Sequence, residues 1–324
     1  MQRIRRILVV LNPVHTDSLA LRRAKQIATA INAHLHLLLC DQRQHYSALL
    51  KQLETQLSGE GFSVTTQQEN CDHLHPTGAI LATQKSQGCD LVIKQHYPDN
   101  PLTKTLIPPQ DWRLLRDCPV PVLMTKTERA WDGGLVLAAM DVDNHEGEHL
   151  DLQGSIIGHA ADLASLIHGT LHAVTAYSGG FALAADPCAP KLDGKAAQCW
   201  EASRWFQDEY GLRDHQLHLA EGPARSVIPQ YAHELEAAIT VIGTVARTGL
   251  SGALIGNTAE AVLDRVDSDV LVLKPHDPAV HLLEPLEGRQ DQERQASPRQ
   301  TGDAERLQRI ADDYLVSWRN LGAI

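Results

Sequence analysis

The chain has 324 residues, enough for two ordinary domains with a core each, because a single core usually serves about 100–200 residues. Apolar residues make up 43% and charged residues 21%, and no apolar run approaches the roughly 18 residues of a membrane span, which argues against a membrane protein and predicts a soluble one. A formal net charge of -11, with no Lys/Arg-rich stretch interleaved with aromatics, argues against nucleic acid as a direct partner.

Met1 to Arg6 followed by Ile7 to Leu11 has the charge order of a signal peptide, but the apolar run is short and Asn12-Pro13 interrupts it. The run is read instead as a first, doubly buried β-strand, and the expected location is the cytoplasm. Asp17 to Ala33 then places Leu21, Ala24, Ile27, Ala28 and Ile31 at helical spacing behind Asp17 or Ser18 as N-cap. A strand over Leu35 to Cys40, a helix over Ser47 to Leu57, a short strand over Phe62 to Thr66 and a helix over Gly78 to Gln84 lead to a strand at Leu91 to Ile93. Trp112 to Arg116 reads as a helix end and Pro121 to Thr125 as a strand.

The pattern then restarts. Gly134 to Met140 predicts a strand, Leu150 to Ile167 a helix, Thr170 to Thr175 a strand and Gln198 to Tyr210 a helix. His215 to Leu219 (strand), Ser226 to Glu236 (helix), Ile239 to Ile242 (strand), Thr258 to Val266 (helix) and Val270 to Leu273 (strand) complete the second set. Aligning Leu123 with Leu271 brings Lys126 onto Lys274, as expected of a diverged internal duplication. Strands alternating with helices predict parallel sheets covered on both faces. The expected division is 1–128 and 132–276 for the two domains, a flexible linker over 277–302, and an amphipathic helix over 303–324. In that helix Leu307, Ile310, Tyr314, Leu315, Trp318 and Leu321 share one face, which docks on this chain or on a partner protein. Cys40, Cys71, Cys89, Cys118, Cys188 and Cys199 are too scattered for a disulfide framework and are read as reduced thiols.

The stretch Val241-Ile242-Gly243-Thr244-Val245-Ala246-Arg247-Thr248-Gly249, continuing through Gly256-Asn257-Thr258-Ala259-Glu260 to Val270-Leu271-Val272-Leu273-Lys274, resembles the C-terminal signature of universal stress proteins. In the first half, Asp111-Trp112-Arg113-Leu114-Leu115-Arg116-Asp117-Cys118-Pro119 and the doubled layout resemble the tandem, E-type members of that family, over about residues 5–276. The resemblance implies a Rossmann-like, adenine nucleotide alpha hydrolase-like fold in each domain: a five-stranded parallel sheet with helices on both faces. It also implies pairing of last strands, here Pro121 to Thr125 with Val270 to Leu273, as an intramolecular pseudo-dimer, with a homodimer as a further expectation.

In its nucleotide-binding branch the family has a loop of form G-x2-G-x9-G-[S/T]; this chain reads Gly243-x2-Ala246-x9-Gly256-Asn257. Small residues after a parallel strand let backbone N–H groups approach phosphate oxygens, and a following helix N-terminus adds favourable charge. The resemblance places Met140 and Asp141 at the end of a strand near base and ribose, with Val174 flanking the base and Ile242 leading into the loop. The expected ligand is ATP or a related adenine nucleotide, with Mg2+, in the second domain only. Lys94, Tyr97, Ile107 and Pro108 stand roughly opposite Gly243, Ala246, Gly256 and Asn257 in the first domain, and Asn12 opposite Asp141.

Other readings stay open at this level. Gly243 and Gly256 also serve as turn glycines, Asn257 and Thr258 as helix caps, Asp141 as a cap or ion-pair member. Cys71, His73 and His75 cluster within five residues, yet a fourth ligand at informative spacing is missing and a chance grouping among 17 histidines explains them better than a metal site does. No Ser-His-Asp or Cys-His arrangement is legible, so a binding module is favoured over a slow ATPase, with a nucleotide-free interaction or carrier protein as the third reading.

Overall fold

The computed structural model describes residues 4–12, 18–42, 45–71, 76–96, 110–141, 147–177, 203–204, 207–244 and 257–274. The expected linker and C-terminal helix lie outside the described residues, as do His73, His75, Ala246 and Gly256.

The first half runs β1 (Arg6–Leu11), α1 (Leu19–Ile31), β2 (His34–Cys40), α2 (Ser47–Gly59), β3 (Val64–Glu69), α3 (Thr77–Gln87), β4 (Leu91–Gln95), α4 (Gln110–Asp117) and β5 (Val122–Thr125). The second runs β6 (Leu135–Met140), α5 (Gly147–Leu166), β7 (Thr170–Tyr177), β8 (Leu217–Glu221), α6 (Ala224–Glu234), β9 (Ile239–Gly243), α7 (Asn257–Arg265) and β10 (Asp269–Leu273). Local chemistry sets several ends. Ser18 caps α1, its hydroxyl accepting from the Leu21 N–H at 3.2 Å, and Asn32 stops it in the left-handed region at φ 52°. Gly88, at φ 59°, ends α3.

In each half the strands lie in the order 3-2-1-4-5 and are parallel, with one apolar layer running under α3, α4, α6 and α7 and α1 and α5 packing on their own strands. The halves merge into one ten-stranded sheet, because β5 pairs antiparallel with β10, Leu123 opposite Leu271. Two strand edges are thereby removed from solvent, leaving β3 and β8 at the margins.

Expectation and structure part at β3. The short segment Phe62 to Thr66 suggested a strand two residues earlier; pairing with β2 sets it at Val64–Glu69, Leu35 opposite Val64 and Cys40 opposite Glu69. An edge strand buries little, so VTTQQE carries no apolar signal. Of the helix expected over Gln198 to Tyr210, residues 203–204 and 207–210 are described and helical.

The seam carries a crossed pair of caps. Lys126, after β5, donates from Nζ to the carbonyls of Leu263 and Val266 at the end of α7, and Lys274, after β10, donates to those of Arg116 and Cys118 at the end of α4. Each half thus neutralises the negative helix end of the other. Beside it Asp269 is fully buried; its Oδ1 accepts the N–H groups of Lys126 (2.7 Å) and Thr127 (3.1 Å), and its Oδ2 accepts Arg23 Nε (2.8 Å) and Trp131 Nε1 (2.9 Å). The Arg23 guanidinium lies 4.6 Å from the Trp131 ring centroid.

Both marginal strand pairs carry a histidine whose pKa burial lowers, and the second pair adds another histidine where the first has a glutamine. In the first half His36 Nε2 meets Gln67 Oε1 at 3.0 Å; at the corresponding position His172 Nδ1 meets His218 Nε2 at 2.9 Å, with His215 edge-on to His172 and Tyr231 against His218. Burial, then the charges of His218 and His215, push the His172 pKa down from 6.5 to about 4, and burial and His215 lower that of His218. A lowered histidine binds fewer protons folded than unfolded, so the His172 contribution to stability is intact above pH 6.5, falls between 6.5 and about 4, and is flat below. Discounted for the half-buried position, the expected loss is about 1–2 kcal/mol. His218→Gln, which copies the first half's pair, is expected to halve that loss when urea midpoints at pH 7.5 and 5 are compared; an unchanged difference would assign the acid sensitivity elsewhere.

Candidate functional site

Strand order reverses between β6 and β9, the place where open α/β sheets leave a crevice at the carboxyl ends of their strands. A cleft of about 220 Å³ lies there, walled by Met140 at the end of β6 and Asp141 after it, Ala176 of β7, Ile242 and Gly243 of β9, and residues of α5, α6 and α7. Asp141 is exposed, while its backbone N–H is fixed by Gln153 Oε1 of α5 at 2.8 Å. Gln153 is itself 3% exposed and lines the cleft. Nothing in the helical pattern of α5 singles it out, since a glutamine on a buried face is recognised only once the facing strand end is in place.

Four of the predicted residues, Met140, Asp141, Ile242 and Gly243, are brought together. Val174 is not among them: it is wholly buried inside β7 and belongs to the core, because β7 runs on to Tyr177 and it is Ala176, two residues later on the same face, that reaches the cleft. Asn257 and Thr258 open α7, so the helix N-terminus points to this end of the sheet; their side chains, with Ala246 and Gly256, lie outside the described residues.

Gly243 is a glycine for a reason other than a turn. Its φ is outside the left-handed region, and a Cβ there would come within 2.7 Å of Leu152 Cδ2 and 2.9 Å of Ile156 Cδ1. The missing side chain lets α5 lie close on β9 and keeps the floor of the cleft open.

Strand register gives the counterpart of this site in the first half. His96 N–H bonds the Thr125 carbonyl at 2.9 Å as Thr244 N–H bonds that of Leu273 at 2.8 Å, so Gln95 stands opposite Gly243, one residue on from the Lys94 expected. Lys94 takes the place of Ile242. The Cys118 N–H bonds Leu114 as the Val266 N–H bonds Val262, which puts Asp111 in the place of Ala259. These replacements join: Lys94 Nζ is 2.6 Å from Asp111 Oδ1 and His96 Nδ1 is 2.7 Å from Asp111 Oδ2. Burial alone would raise the Asp111 pKa, but Lys94 and His96 outweigh it and hold the carboxyl below its ordinary range. Side chains that are apolar or small around the second cleft are thus replaced by a buried ionic network in the first.

Cys71 is half-buried, and among the described residues no group of three metal-ligating side chains converges on one point. No helix of the described residues is long and apolar enough to cross a membrane.

The chain matches the model of the universal stress protein family over residues 3–126 and 149–274, once in each half. It is 35% identical over 209 residues to Universal stress protein E of Escherichia coli (strain K12), a match covering 63% of this chain and 66% of that protein, just under two thirds of its length. To the Universal stress protein E homolog of Haemophilus influenzae it is 30% identical over 312 residues, covering 84% of this chain and 98% of the relative. Among solved structures it is similar to one titled as a universal stress protein from Pseudomonas aeruginosa UCBPP-PA14, at 53% identity and a TM-score of 0.74, covering 86% of this chain and 96% of that one.

Proposed function

The chain belongs to the universal stress protein family, and from that premise we propose that it is a cytoplasmic stress-response module whose second half binds ATP or a related adenine nucleotide while its first half binds none. The observation that carries this reading is the asymmetry of the two crevices. One is open and apolar over Gly243; in the other Lys94, His96 and Asp111 bond to one another. The cleft's volume of about 220 Å³ is below the ~300–1,000 Å³ of sites that enclose a drug-sized ligand, which suits a base and ribose with the phosphates outside it. Met140 and Ile242 would pack on the base, the exposed Asp141 carboxylate would accept ribose hydroxyls, and the N-terminus of α7 favours phosphate. Mg2+ would offset charge on the phosphate oxygens.

Calorimetric titration with ATP and magnesium is expected to give one site per chain. Gly256→Asp sets a carboxylate against the phosphates, and Ala259→Leu fills the cleft; each is expected to weaken binding at least tenfold, about 1.4 kcal/mol. A second site would overturn the nucleotide-free first half, and variants that bind as the parent does would remove the nucleotide from the second half. No binding by the parent chain would favour a nucleotide-free carrier or interaction protein.

A further inference from the structure

The first half's crevice holds chemistry of its own. Register places Cys40, the last residue of β2, where Ala176 lines the cleft of the second half. Beyond the end of β3 the chain folds back: the N–H groups of Asp41 and Cys71 both donate to the Glu69 carbonyl, each at 3.1 Å, so the residue after Cys40 and Cys71 itself are held at one oxygen. The Cys71 side chain is close enough to help raise the Cys40 pKa, and Cys71 packs against the core cluster that contains Cys40. Their exposures differ. Cys40 is buried and Cys71 half-buried. Two opposite charges act on Cys40, the Glu69 carboxylate that holds its proton on and, more weakly, the Lys94 ammonium.

We propose that Cys40 and Cys71 form an oxidation site that closes to an intramolecular disulfide on exposure to a hydroperoxide. The half-buried Cys71 reacts first: its sulfur attacks the peroxide O–O bond, giving the sulfenic acid and releasing water or an alcohol. The Cys40 thiol then condenses with it, forming the S–S bond and expelling a second molecule that carries away the sulfenic oxygen and the Cys40 proton as water. Two thiols lose two electrons in all, and the peroxide gains them. The order follows from environment. Peroxide reaches the half-buried Cys71 before the buried Cys40; burial, then Cys71, hold the Cys40 thiol protonated, so it gives up its proton to the departing hydroxyl only as the S–S bond forms. Cys89 is an internal control: burial pushes its pKa up to about 12, and the charges that act on it are those of Arg6 and Asp90, with no sulfur among them.

The disulfide would tie the marginal strand β3 to β2 in the half that lacks the open cleft, and its formation does not depend on nucleotide. The test is to treat the full chain with stoichiometric hydrogen peroxide, unfold it, alkylate and map peptides without reductant. The expected product is one linked pair, Cys40 with Cys71, lighter by two hydrogens and reversed by reductant, with Cys89 still alkylated. Cys71→Ser is expected to abolish the link while retaining the fold by circular dichroism. Full alkylation of Cys40 and Cys71 after peroxide, over-oxidation of Cys71 without a link, or a disulfide from either residue to Cys188 or Cys199 would each overturn the proposal.

Discussion

Asp269→Ala is expected to lower the unfolding free energy by about 3–5 kcal/mol, because it leaves the Arg23 guanidinium, itself 5% exposed, without its counter-charge. The carboxylate also holds two backbone N–H groups of the crossover between the halves and the indole of Trp131. Asp269→Asn is the stricter probe. Its amide oxygen can serve the Lys126 and Thr127 N–H groups, but its amide N–H would face two further donors, Arg23 Nε and Trp131 Nε1. It is therefore expected to rescue little. Urea unfolding measures both; a loss under about 1 kcal/mol for the alanine variant would mean that the two halves are held by β5–β10 pairing and the crossed lysines alone.

Lys94→Ile is expected to cost about 3 kcal/mol, because the buried Asp111 carboxyl loses its nearest cation. The second half shows how the same framework does without the network. Installing its residues together, Lys94→Ile with His96→Thr and Asp111→Ala, is expected to cost less than the single change, although three residues are altered. Such non-additivity in denaturant titrations would establish the cluster as one unit. Costs that sum would show that the first half's packing has diverged too far for the exchange.

Legibility in the sequence followed burial. Strands buried on both faces, such as Ile7 to Leu11 and Val270 to Leu273, announce themselves as apolar runs, and the buried face of α1 repeats at helical spacing behind a capping serine. β3 and Gln153 do not, since a polar edge strand and a buried glutamine follow no periodic rule. Val174 and Ala176 show the limit at the site. Both lie on one face of β7, and the length of the strand decides which of them reaches the cleft. Gly243 was marked by the loop pattern, while the reason for it, the approach of Leu152 and Ile156, belongs to a helix some ninety positions away in the chain.

The sequence by itself determined that the chain is a duplicated α/β protein and where its second crevice begins, because apolar periodicity and small residues after a strand are local properties. Tertiary structure decided which residues meet. The repeated lysines Lys126 and Lys274 were visible as an alignment, but their role as caps on each other's half exists only once β5 and β10 run antiparallel. The same holds for Asp269 with Arg23, for Lys94 with Asp111 and for Cys40 with Cys71, whose pairing depends on strand order and register. Contacts between distant segments are set by the packing of whole elements, and a linear pattern carries no record of them.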